Sequence, residues 1–103
     1  MTTQESLQAL IDAYNKFNIV TVTNTYVVLD TDEEVRCDGT FTVTLPAATG
    51  SALGYAIKNI GTGTITLAAA GSDTIDGEAT QTILTLDAIT VVDADAGVWD
   101  ILK

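Results

Sequence analysis

Carboxylates are the reactive side chains that this chain offers in quantity. Among 103 residues there are 14 Asp or Glu, 4 Lys or Arg, no His and one Cys, for a net charge of −10. Two stretches concentrate the acids. Asp93-Ala-Asp95-Ala-Gly97 has the D-x-D-x-G spacing that opens some calcium loops. Calcium takes roughly six to eight oxygens, however, and this stretch offers two carboxylates and lacks the downstream bidentate Glu. Asp30-Thr31-Asp32-Glu33-Glu34 is the second stretch. Short polar residues tolerate turn conformations, and a turn is the simpler reading of both. No metal ligands are assigned, and neither metal nor cofactor is expected.

Other chemistries lack their parts. A glycosidase-like carboxylate pair is defined by separation in space, which spacing in sequence does not give. Without His, neither a Ser nor Cys37 has an imidazole to activate it. Gly61-Thr-Gly63-Thr-Ile-Thr66 departs from G-x-G-x-x-G at its last glycine and leads into a strand, where a nucleotide site needs a helix N-terminus. No catalytic residue is assigned, and the chain is expected to be non-enzymatic.

Charge and cysteine usage narrow the partners. Lys16, Arg36, Lys58 and Lys103 are scattered. Binding to a phosphate backbone or an anionic membrane needs clustered cations, so neither nucleic acid nor membrane is an expected partner. Cys37 closes no intrachain disulfide and has no zinc-ligand set around it. Residues 1–17 carry Glu5, Asp12 and Lys16 and lack the apolar run of a signal peptide, so use without secretion is expected. Yet 47% of residues are hydrophobic and mean hydropathy is +0.31. A small domain has limited interior, and association between copies would bury the excess.

The elements that hold these residues fall into two parts. Residues 2–17 read as a helix, with Thr2 and Glu5 at capping-box spacing. Leu7, Leu10, Ile11 and Tyr14 form one apolar stripe, and Leu7, Leu10, Tyr14 and Phe17 also fit two heptads. This helix either packs on its own domain or meets other copies. On the second reading Leu7, Leu10, Ile11, Tyr14 and Phe17 are the candidate oligomer interface. Residues 18–103 then read as one β-rich domain. Ile19–Thr23, Tyr26–Leu29, Val35–Cys37, Thr40–Leu45, Gly54–Ile60, Thr64–Leu67, Gln81–Leu86, Ile89–Asp93 and Val98–Leu102 are strand-like and separated by turns. Val35–Cys37 reads as pairing back ahead of the Asp38-Gly39 turn.

This pattern predicts a mainly β, small antiparallel sandwich or barrel-like domain with one N-terminal α-helix. Val43, Leu45, Ile57, Ile65, Leu67, Ile75, Leu84, Trp99 and Ile101 are its expected core. Residues 39–48 and 61–70 echo one another, and two copies support strand–turn repetition and not a solenoid. The Thr-rich strand faces have two readings: solvent-facing β-formers, or flat faces that pack across a symmetry axis. Trp99 is expected to plug the core, and its indole N–H then needs a partner.

Several motifs taken in order carry a resemblance. Thr42-Val-Thr-Leu-Pro-Ala-Ala48, then Gly54-Tyr-Ala-Ile-Lys-Asn-Ile-Gly-Thr-Gly-Thr-Ile-Thr-Leu67, then Asp73-Thr-Ile-Asp-Gly77 and Trp99-Asp-Ile-Leu102 resemble a module of tailed-phage virion appendages. Such modules occur in tail fibres, tail spikes, head fibres and capsid decoration proteins. The resemblance covers residues 40–102 and implies a compact β-fold, usually homotrimeric, that displays or binds and does not catalyse. The short chain fits a capsid decoration or small head-fibre protein better than a tail fibre. The implied partners are further copies of the chain and a major capsid protein or other virion component. The implied location is the virion, assembled in the host cytoplasm. The alternative is a receptor- or glycan-binding tip module of a tail fibre.

Overall fold

A computed structural model describes residues 18–102, and the expected helix and its interface residues lie outside them. Ten strands run in order: β1 (Ile19–Val22), β2 (Tyr26–Val27), β3 (Glu34–Cys37), β4 (Phe41–Thr44), β5 (Gly54–Asn59), β6 (Ile65–Ala68), β7 (Thr74–Ile75), β8 (Thr80–Ile83), β9 (Ala88–Asp95) and β10 (Val98–Leu102). They make two sheets. One has six strands in the order β1-β3-β5-β9-β10-β7, and the other has four in the order β2-β4-β6-β8.

From β1 to β6 the chain alternates between the sheets and advances one position in each at every visit. Strands β1, β3 and β5 are therefore parallel neighbours, as are β2, β4 and β6. Parallel neighbours need a crossover between them. Here each crossover is a strand of the other sheet, so the chain winds into three stacked rungs. The last four strands close the sheets: β8 pairs antiparallel with β6, β9 with β5, and β10 with β9, while β7 joins β10 in parallel.

Mainly β architecture in two layers agrees with the sequence. The antiparallel expectation is corrected, because five of the eight strand pairings are parallel. Val35–Cys37 does not fold back at Asp38-Gly39; it lies between β1 and β5, and the turn carries the chain across to the other sheet. Period-two alternation reports which face a residue occupies, and it is the same for both pairing directions.

That alternation builds the core. Val35 and Cys37, Ile57, Val91 and Trp99 point inward from the six-stranded sheet. Val43, Ile65, Leu67 and Ile83 meet them from the four-stranded sheet, in one continuous cluster. Each full burial of such a side chain contributes about 1.5–3 kcal/mol. Val43, Leu45, Ile57, Ile65, Leu67, Ile75 and Trp99 are buried as expected, and Ile101 packs against the cluster from a half-buried position. Leu84 is the exception at 58% exposed. Strand β8 ends at Ile83, and Leu84 starts the tight turn to β9, where Asp87 N–H donates to the Leu84 carbonyl.

Because the rungs are parallel, their turns gather at two ends. One end holds the turns that follow β1, β3, β5 and β8. The other holds the longer connections after β2, β4 and β6, together with the Asp95–Val98 hairpin between β9 and β10. The second end collects most of the acidic residues.

Candidate functional site

The 45–53 connection would be an irregular loop without the carboxylates around it. Asp73 Oδ2 accepts from the Ala48 N–H at 2.9 Å. Asp93 accepts from Thr49 N–H at 2.9 Å, Gly50 N–H at 2.7 Å and the Ser51 hydroxyl at 2.8 Å. Three successive backbone donors are thus satisfied by side chains. The backbone of Asp93 contributes as well: its carbonyl accepts from Ala52 N–H, and its N–H donates to the Leu53 carbonyl.

Asp93 is 3% exposed. Burial alone would push its carboxyl up. The donors from Thr49, Ser51 and Gly50 outweigh that and lower it to about 2. The group is held ionised with its acceptor sites filled, so it has no lone pair free to act as a base. Asp95, its partner in the D-x-D-x-G spacing, is exposed and accepts from the adjacent Ala96 N–H. The two carboxylates face different tasks, and among the described residues no three His, Cys, Asp or Glu side chains gather as metal ligands.

The other acidic stretch divides in the same way. Asp32 is buried and accepts from the Tyr26 hydroxyl at 2.6 Å and from Leu29 N–H at 2.9 Å. Burial pushes the Tyr26 hydroxyl up, and the bond to Asp32 adds to it, to about 12. Glu33 accepts from Asn18 N–H. Glu34 stands 3.9 Å from Arg36, too long for a strong pair at an exposed site. Asp30 is exposed at the rim of a cavity of about 320 Å³, and Asp30, Asp32 and Glu33 together line a neighbouring open pocket. Asp93, Tyr55 and Trp99 also border the first cavity, but all three are buried.

Trp99 plugs the core as expected, at 1% exposed and with its ring 5.7 Å from that of Tyr55. Among the described residues its Nε1 has no hydrogen-bond partner, so the partner expected for the indole is not found there. Cys37 is buried, and burial pushes its thiol up to about 11, which keeps it protonated at neutral pH.

Three polar residues that sequence reasoning did not single out are as important. Asn59 is fully buried at the opposite end. Its Nδ2 donates to the Gly63 and Ile83 carbonyls, and its Oδ1 accepts from Gly61 N–H. Asp73 holds Ala48, and Asp76 accepts from Ile101 N–H while occupying a left-handed φ of 49°. An Asn just before a Gly-x-Gly turn was the available signal for the first, and Asp-x-x-Asp-Gly for the other two.

No family model matches the chain, and no curated protein matches it.

Proposed function

We propose that the chain is a non-enzymatic structural module that self-associates, in the manner of a homotrimeric phage-capsid decoration or small head-fibre protein. The observation that carries this reading is the employment of two buried carboxylates, Asp32 and Asp93, and the half-buried Asp73. Asp32 and Asp93, one from each acidic stretch, and Asp73 hold backbone N–H groups of the long connections, so these three carboxylates serve as staples. A scaffold stabilised in this way presents a rigid, acidic surface. The order of motifs resembling virion appendage modules supports the more specific role.

The tip-module alternative has less support. Tips that hold sugars or receptors present aromatic platforms. Among the described residues, Tyr55 and Trp99 are buried, and Tyr26 and Phe41 are half-buried against the core. The test is cosedimentation of purified protein with phage shells assembled without it, and separately with host cells. Retention on shells supports decoration. Retention on cells alone overturns it in favour of the tip.

A further inference from the structure

Val20, Val35 and Ile57 are successive partners across the six-stranded sheet, one from each rung. Val22, Cys37 and Asn59 form a second such row. Tyr26, Val43 and Leu67 form a third in the smaller sheet. In all three rows the residues of the second and third rungs are fully buried, and the residue of the first rung is only half-buried. The core is thus closed on its far side by β8 and β9. It is open at the first rung, where β1 and β2 are the end strands of their sheets among the described residues.

Stacked units cover such an end with a terminal element that is apolar inside and polar outside. Residues 19–28 include no charged residue and no proline that would guard the two edges otherwise.

Asn18 fixes where the preceding chain arrives. Its carbonyl accepts from the N–H groups of Glu33 and Glu34, and its Nδ2 donates to the Thr31 carbonyl at 2.6 Å. The chain therefore enters β1 along the outer side of the connection between β2 and β3. The winding advances one position at each visit to a sheet, so one step back from β1 lies beyond β2, at the open rung.

We propose that residues 2–17 cover the first rung of their own chain, with their apolar stripe laid over Val20, Val22 and Tyr26. Connectivity selects this occupant. A tethered segment acts at an effective concentration of about a millimolar, which a separate partner does not reach. Charge selects it as well. Residues 1–17 carry Glu5, Asp12 and Lys16 as their only charged side chains, so nearly all of the −10 lies in the rest of the chain. The acidic domain of a second copy is repelled by the acidic connections beside this rung, and residues 1–17 are not. Size agrees: a helix is ~10 Å across, and packed sheets stand ~10 Å apart.

Amide hydrogen exchange of the intact chain over a concentration series tests this, read at β1 and β2 and, for reference, at β9. The variants are Leu10→Asp, on the apolar stripe, and Ala9→Asp, which adds the same charge on the opposite face of the expected helix. The expected result is protection of β1 and β2 that does not change with concentration. Exchange there should be at least about tenfold faster in Leu10→Asp and parent-like in Ala9→Asp. If β9 also exchanges faster in Leu10→Asp, the whole domain is loosened, and Leu10→Ala decides by the same comparison. Parent-like exchange at β1 and β2 in the Leu10 variants, or equal loss of protection in Ala9→Asp, overturns the inference. Protection of β1 and β2 that rises with concentration also overturns it, by placing residues 2–17 on another copy of the chain.

Discussion

Gly63 lies against Gly39 of the preceding rung so closely that a Cβ at 63 would stand 2.5 Å from the Gly39 carbonyl oxygen and would also collide with the Thr40 hydroxyl. Gly61 is confined in the same way by Asp38. These turns stack because β3-to-β4 and β5-to-β6 are successive crossovers of one winding chain. The glycine requirement at 63 is therefore one of space and not of backbone angle.

This distinction is measurable. Gly63→Ala forces backbone apart and should cost about 3 kcal/mol in urea unfolding. Gly71 has open space around a missing Cβ but a φ of +54°. Gly71→Asn, which tolerates that region, should cost less than about 1 kcal/mol. A neutral Gly63→Ala would contradict the stacking of the turns.

Asp93 gives the fold an acid limit. Its carboxyl is lowered to about 2 in the folded chain. A depressed carboxyl contributes stability above its unfolded pKa, near 4, and loses it as pH falls through the folded value. The contribution, roughly 2 kcal/mol, should disappear between about pH 4 and pH 2. Asp93→Asn should lower stability at pH 7 by about 3 kcal/mol, because an amide NH2 then faces donors. The variant should also flatten this acid limb, as followed by urea unfolding across pH.

Tyr26 gives the complementary alkaline limb. Its hydroxyl is raised to about 12. A raised acid contributes stability that is complete below the unfolded value near 10 and is lost as pH rises through the folded one. Ultraviolet titration should show a tyrosine ionising near pH 12 in the parent that Tyr26→Phe removes, while Tyr55, also raised by burial, titrates in both. Ionisation of Tyr26 near pH 10 in the folded protein would contradict the Tyr26–Asp32 bond.

Cys37 should be silent. With its thiol buried and pushed up to about 11, it should react with a thiol reagent at pH 8 only after denaturant is added. Neither EDTA nor reductant should move the melting temperature. A drop of several degrees in EDTA would reveal a structural ion, and a drop in reductant an intersubunit disulfide.

Strand positions and the core were legible because alternation of β-branched and small polar residues shows which face a residue takes. Pairing direction was not, since Asp38-Gly39 reads the same whether it reverses the chain within a sheet or passes it to another. The echo between 39–48 and 61–70 is a trace of the winding, although two copies alone read as strand–turn repetition and not as a solenoid. Its 22-residue offset is the register by which Glu34 pairs with Ala56 in the larger sheet. In the smaller sheet Phe41 pairs with Ile65, two residues further on. An even shift keeps every side chain on its face, so the core tolerates it. Asp93 was conspicuous in sequence as half of a calcium-like spacing. Its actual partners at 49–51 are more than forty residues away, and no local pattern announces them.

Self-association is the claim on which the proposed role stands, and the mass of the intact chain in solution tests it most directly. Sedimentation equilibrium at rising micromolar concentration should give a mass approaching three times the 10.8 kDa of one chain. A constant 10.8 kDa species throughout would contradict it.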